Sequence, residues 1–166
     1  MVDAVPALVK PEAVEIFEKH GVYTKAEMES RAEVMYETYS KTINIEALTM
    51  IDMAKKQIVP ATIKYQTSLA ESVNAIKAAS SAVDTSVQEA LMADISTNLK
   101  DMYVALAHLE EVAGKAEAME EGAEQGHYYH DVVFTAMDEL RKPADKLALL
   151  VAKSAWPFPS YGDLIF

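Results

Sequence analysis

Two histidines spaced three residues apart are the strongest candidates for chemistry in this sequence. His127 and His130 would share one turn of a helix, with Glu124 and Asp131 close by. Imidazole and carboxylate groups suit zinc or iron, and Glu124-x-x-His127 is half of the ligand pattern of a di-iron four-helix bundle. The chain has no second Glu-x-x-His, and Gly126 puts this one at the end of a predicted helix. We therefore predict no metal site.

Two other ionisable side chains lie among apolar neighbours, namely Glu46 and His108. Burial would raise the pKa of a carboxyl such as Glu46 and suit it to act as a base. No nucleophile, second carboxylate or phosphate-binding glycine motif accompanies it. We expect Glu46 to form a hydrogen bond or an ion pair and His108 to be a hydrogen-bonded, partly buried side chain. The sequence thus predicts no catalytic and no cofactor-binding residue.

Composition favours a helical protein with no nucleic-acid partner. The 166 residues are rich in helix-forming types, contain five glycines and no cysteine, and carry a net charge of −11. A phosphate backbone would require a basic face, so nucleic acid is not expected. No apolar run is long enough to cross a membrane, and the first ten residues do not form a signal peptide. These features are compatible with the cytoplasm.

The elements predicted to position these groups begin with one long helix from Thr24. Thr24 and Glu27 form a capping box at its start, and Glu37 and Lys41 form a favourable pair one turn apart. Pro60 interrupts the backbone hydrogen bonding, but the apolar phase continues, so we expect a kink or a near-coaxial restart. Apolar residues follow a helical period at Met28, Ala32, Met35, Tyr39, Ile43, Ala47, Met50, Ala54 and Ile58.

The remaining pattern predicts an all-α fold in one domain, residues 1–166. A loose lead-in over residues 1–10 precedes a short helix at residues 11–19 that stops at Gly21. Turns are expected at residues 80–84 and between Gly122 and Gly126. Short turns between long helices force antiparallel neighbours, so we predict an antiparallel bundle of three long helices, or four if Pro60 breaks the first. The last helix carries a heptad seam at Tyr129, Val133, Ala136, Leu140, Ala144, Leu147 and Val151.

Two apolar segments have more hydrophobic surface than one helical face explains. Residues 43–53 are apolar on more than one side, and the aromatic tail from Trp156 contains two prolines that exclude a helix there. The tail is expected to lie extended across a hydrophobic groove, on its own bundle or on another surface. The residues predicted for such contacts are Ile43, Ile45, Leu48, Ile51, Trp156, Phe158, Tyr161 and Phe166.

Several motifs in sequence order resemble the C-terminal region of type III glutamine synthetase. The similarity covers most of the chain and is weakest between about residues 80 and 125. The motifs are FEKHGVYT at 17–24, YSKTINIEA at 39–47, TM at 49–50, DMA at 52–54, IVPA at 58–61, Tyr65, DVV at 131–133, Met137, ELR at 139–141, PAD at 143–145 and WPFPSYGDLIF at 156–166.

The resemblance implies a non-catalytic role for this chain. Enzymes of that family join ammonia to glutamate using ATP, with divalent metals such as Mg²⁺ at a site in a catalytic body upstream of this region. None of those motifs is present here, so no catalytic residue is carried over. The implied partners are the catalytic body and neighbouring subunits, and the isolated chain is expected to self-associate. Two alternatives stay open: a free-standing helical scaffold that binds a partner helix, and a metal-binding bundle.

Overall fold

The structure is a computed structural model that describes residues 2–159 and 161–165, without the side chain of residue 161. The described residues form helices and turns and no strand, which confirms the predicted all-α class. A 3-10 turn at Val2–Ala4 precedes α1 (Val5–Leu8), α2 (Pro11–Lys19), α3 (Lys25–Met53), α4 (Val59–Ala79), α5 (Ser86–Glu117), α6 (Ala123–Tyr128), α7 (Phe134–Leu150) and α8 (Tyr161–Leu164).

Two π-helical stretches join these helices into longer ones. Ala54–Ile58 connects α3 to α4, and Tyr129–Val133 connects α6 to α7. The described part of the chain therefore has three long continuous helices, with α5 as the second. The last long helix also continues unbroken through Pro143.

Just before Pro60 the helix changes type and does not break. Its ring would collide with the carbonyl group of Lys56 in a regular α-helix, and it has no N–H to donate. The π stretch widens the turn before it, and the Val59 N–H donates to the carbonyl oxygen of Ala54, five residues back. The helix thus continues through Pro60 without a loop, which excludes the four-helix alternative.

Local hydrogen bonds set the ends of the early helices as predicted. The Thr24 N–H donates to Glu27 Oε2 at 2.7 Å, and the Glu27 N–H donates to Thr24 Oγ1 at 3.3 Å, which is the predicted capping box. Gly21 has a positive φ of 63° after α2, and the Val22 N–H donates to the Phe17 carbonyl at 2.9 Å. This arrangement is a Schellman C-cap and explains the glycine.

Three predictions about local structure were wrong. Residues 2–8 are helical rather than loose, because Val2 and Val5 pack against Ala32 and Tyr36. Gly126 lies inside α6 rather than at its border. The tail is not extended throughout, since Tyr161–Leu164 form α8 after the second proline. The last turn is tied to the chain before it by Lys153 Nζ and Asp163 Oδ1, 2.5 Å apart.

The chain divides into two compact units, and the first comprises residues 2–49 and Leu109–Met137. The ring centroids of Tyr36 and His127 are 6.1 Å apart, as are those of Tyr39 and His130. The contact moves from His127 to His130 as it moves from Tyr36 to Tyr39. The two helices, α3 and the α6 helix, therefore run parallel here. The buried apolar residues of the first unit include Met28, Ile43, Ala47, Leu109, Val112, Ala116, Tyr129, Val133 and Ala136.

The second unit comprises Met50–His108 and residues from Asp138 onward. Gln66 Nε2 donates to Ser96 Oγ at 2.8 Å, and Lys77 pairs with Glu89 nearer the turn. These contacts make α4 and α5 an antiparallel pair around the predicted turn at residues 80–84. Asp84 accepts a hydrogen bond from the first N–H of α5 at Ser86. Buried residues of this unit include Ala54, Ile58, Val73, Ile95, Met102, Leu106, Leu140, Leu147 and Val151.

Candidate functional site

The outward side of α3 carries an apolar patch in the first unit. Tyr36, Ile43 and Ala47 form the buried side of this helix. On the opposite side Val34, Ile45 and Leu48 are 54%, 65% and 48% exposed. We call these three residues the α3 patch. Three large apolar side chains on one helix face lose favourable burial energy when they stay in water, so this surface is the candidate contact site of the chain.

The structure divides the four contact residues predicted on the long helix. Ile45 and Leu48 belong to the α3 patch, whereas Ile43 is buried in the core of the first unit. Ile51 belongs to the second unit and is half-buried. The segment is therefore apolar on more than one side, as predicted, and its second apolar side is not covered by described residues of its own unit.

Sequence reasoning missed Val34 because it lies in a stretch rich in glutamate, between Glu33 and Met35. A usable signal was present. Val34 precedes Ile45 by eleven residues, which is close to three helical turns, so both side chains lie on the same helix face. The glutamates on either side of Val34 indicate a solvated surface, which masks this signal.

The aromatic tail supplies two half-buried rings in the second unit. The rings of Trp156 and Phe158 meet edge to face with centroids 6.1 Å apart, a favourable geometry for an aromatic pair. The backbone N–H of Trp156 donates to the Ala152 carbonyl at 3.0 Å, which anchors the start of the tail. Of the other predicted contact residues, Phe166 and the side chain of Tyr161 lie outside the described part.

The histidine cluster consists of an aromatic contact and a hydrogen bond. His130 Nδ1 lies 2.7 Å from Asp131 Oδ1, while the ring of His127 packs beside Tyr36. Burial raises the pKa of the Tyr39 hydroxyl, and the charge of Asp131 adds to this effect. Within residues 2–159 and 161–165, no three His, Asp or Glu side chains converge as metal ligands.

The predictions for His108 and Glu46 were wrong in their burial. Both side chains are exposed. His108 lies two positions after buried Leu106, which places it roughly 200° around the helix. Glu46 follows Ile45, and because Ile45 is itself exposed, it does not shield the carboxylate from water.

Comparison with known proteins finds relatives along almost the whole chain. The family model for the glutamine synthetase C-terminal domain matches residues 1–77. A glutamine synthetase of Butyrivibrio fibrisolvens is 33% identical over 164 residues, which is 99% of this chain and 23% of that protein. This chain is therefore similar to the C-terminal part of glutamine synthetases over nearly its whole length. This confirms the resemblance found in the sequence motifs.

Two further relatives of this chain agree with that similarity. A type-3 glutamine synthetase of Dictyostelium discoideum is 26% identical over 157 residues, covering 92% of this chain and 21% of that protein. A glutamine synthetase of Bacteroides fragilis (strain YCH46) is 27% identical over 149 residues, covering 87% and 20%. The chain thus spans about a fifth of the length of the curated relatives it matches. None of the helices described has the length and hydrophobicity required to cross a lipid bilayer.

Proposed function

We propose that this chain is a non-catalytic assembly part of a type III glutamine synthetase, acting within the cytoplasm. The whole enzyme would ligate ammonia to glutamate with ATP and Mg²⁺, both held in the catalytic body. The chain would brace that body and neighbouring subunits as a single helical domain. The α3 patch is the observation that supports this role, because large apolar side chains left exposed on one helix face are typical of protein contact sites.

The half-buried rings of Trp156 and Phe158 support a second contact of the same kind. Tryptophan is enriched among the residues that dominate binding energy in protein interfaces. We propose that the tail docks on the catalytic body or a neighbouring subunit, together with Tyr161 and Phe166. The remaining predicted contact residue on the helix, Ile51, belongs to the second unit, and we propose it as a separate contact residue.

The test introduces charge into the α3 patch of a full-length enzyme that contains this sequence. The double variant Ile45→Asp and Leu48→Asp should lower the assembled mass measured by size exclusion with light scattering, because an interface core tolerates charge poorly. A matched control is Tyr103→Asp with Val104→Asp on α5, two apolar side chains that are equally exposed. The same assembled mass in the α3 patch variant as in the unmodified enzyme would refute the proposal.

An immunoblot of a cell extract distinguishes the proposed function from that of a free-standing scaffold. An antibody raised against the chain should detect a band far larger than 18.3 kDa, since the domain would be part of a longer enzyme. A single band near 18.3 kDa would favour a scaffold that binds a partner protein. Elemental analysis of purified protein addresses the metal-binding alternative, for which bound zinc or iron would be required.

A further inference from the structure

A polar pocket of about 340 Å³ lies within the first unit. One wall is α3, which contributes Ser40, Lys41 and Asn44, and the opposite wall contains Glu117 and Glu121 at the end of α5 and the turn after it. This volume is at the lower end of the range for small-molecule sites in proteins. The pocket does not include the α3 patch, which lies on the outward side of α3.

Two polar atoms in the α3 wall are buried and lack a partner. Ser40 is only 3% exposed, and its Oγ neither donates nor accepts a hydrogen bond among the described residues. The same holds for Oδ1 of Asn44, one turn later. Burying a polar group without a hydrogen bond is costly, and an amide oxygen can only accept. The α3 wall therefore offers acceptors for a ligand that donates hydrogen bonds.

The charge on the pocket walls is negative. Glu37 and Lys41 neutralise each other in a close ion pair. Neither Glu117 nor Glu121 lies within salt-bridge distance of a cation in the described part of the chain. The charge of Glu121 also acts on Lys41, but with three glutamates and one lysine in its lining the pocket still has a net negative charge, which favours a cation there.

The backbone adds to the negative charge at the pocket. Glu117 is the last residue of α5, a helix of 32 residues, and the carbonyl end of a helix carries a partial negative charge that attracts cations. The floor contains Tyr129, whose hydroxyl pKa is raised by burial and further by the charge of Glu117. Gln125 holds the turn in place, because its Nε2 donates to the Ala116 carbonyl at 3.1 Å.

We propose that this pocket binds a small aliphatic ammonium or guanidinium compound. The cationic group lies between Glu117 and Glu121, and its N–H groups donate to Ser40 Oγ and Asn44 Oδ1. Charge-assisted hydrogen bonds of this kind are stronger than neutral ones. The proposal does not rest on the assembly role, since no residue of the α3 patch takes part in binding.

Calorimetric titration of the 166-residue chain tests the ligand class. Putrescine and agmatine serve as cationic probes, and 1,4-butanediol serves as a neutral probe with the same carbon spacing as putrescine. Saturable binding of at least one cation and none of the diol is expected. No saturable binding of either cation at up to 10 mM, roughly the weak end for such small ligands, would overturn the proposal, as would equal binding of the diol.

Variants locate the binding in the pocket. Glu121→Gln should weaken cation binding at least tenfold, about the loss expected for one charge-assisted contact, whereas Glu120→Gln, on an exposed neighbour outside the pocket lining, should leave it unchanged. Ser40→Ala should weaken binding and also raise the melting temperature of the free chain, because it removes an unpaired buried hydroxyl. Equal binding by Glu121→Gln and Glu120→Gln would place the cation on the general acidic surface and refute the site.

Discussion

Gly126 allows α3 and α6 to pack closely at one point. A Cβ atom built at this position lies 2.9 Å from Cδ1 of Tyr36, closer than such atoms approach in proteins. Tyr36 is buried in the cluster formed by Val2, Val5 and Ala32, so its ring has little room to move. The glycine is therefore required by packing and not by backbone geometry.

Replacing this glycine should destabilise the protein despite a better helix propensity. We expect Gly126→Ala to lower the free energy of unfolding by about 1–3 kcal/mol, the usual cost of overpacking a core. The control is Gly114→Ala in α5, where nothing lies within 4 Å of a built Cβ and a gain of about 0.5–1 kcal/mol is expected. Chemical denaturation followed by circular dichroism measures both. Stabilisation by Gly126→Ala would contradict the packing argument.

The capping box at the start of α3 makes stability depend on pH. Hydrogen bonds from Thr24 lower the pKa of Glu27 below its ordinary value of 4.5. A carboxyl whose pKa is lowered by folding stabilises the protein above its unfolded pKa, and this contribution is lost as the pH falls through the folded pKa. Glu27→Gln should thus be less stable than the unmodified chain at pH 7. The difference should shrink on acidification below pH 4.5.

Thermal melts of both proteins between pH 7 and pH 3 provide the measurement. Glu29→Gln is a suitable control, since Glu29 lies two residues later in the same helix and is also exposed. Among the described residues its ion-pair partner is Lys25, at 3.6 Å. A stability difference for Glu27→Gln that stays constant over this range would show that the charge of Glu27 is not what stabilises the cap.

At the scale of elements, the sequence predicted the helices more reliably than the short structures. The spacing of apolar residues and the signals at Thr24 and Gly21 were sufficient for the long helices, because these depend on local pattern. The turn at Val2–Ala4 and α1 were missed, since their helical form depends on contacts with Tyr36 far along the chain. Likewise, no local pattern shows that Gly126 packs against the same tyrosine.

Pro60 gives a test of what imposes the π stretch. The proline is exposed, so Pro60→Ala removes little packing and restores a backbone donor. We expect a gain of about 1–2 kcal/mol in unfolding free energy, part of the roughly 3 kcal/mol that separates proline from alanine inside helices. Pro143→Ala is the comparison, and it should gain less because Pro143 is buried. No gain at position 60 would mean that packing, not the proline, imposes the wider turn.

At the scale of the whole molecule, the net charge of −11 opposes association through the α3 patch. Because salt screens repulsion between exposed charges over roughly 10 Å at 0.1 M, the mean mass of the isolated chain in light scattering should rise with both salt and protein concentration. The Ile45→Asp and Leu48→Asp variant should stay monomeric. A strictly monomeric unmodified chain at high concentration and high salt would contradict this prediction.

The candidate sites differ in how far the sequence alone reveals them. Ile45 and Leu48 were predicted as contact residues because an apolar excess is visible in composition and spacing. The polar pocket was not predicted, since Ser40 and Glu117 are ordinary residues that lie far apart in the chain. Only the folded structure shows that Ser40 Oγ is buried without a partner and that two carboxylates lie on the opposite wall of the pocket.

The π stretch at Ala54–Ile58 also affects how the long helix exchanges its amide hydrogens with solvent. A helix normally exposes its amides first at its two ends, where hydrogen bonds are fewest. The missing N–H of Pro60 and the shifted bond from Val59 to Ala54 create a weak point in the middle of a continuous helix. We expect the amides there to exchange with solvent without fraying at Lys25 or Ala79, so that the helix opens from within as well as from its ends.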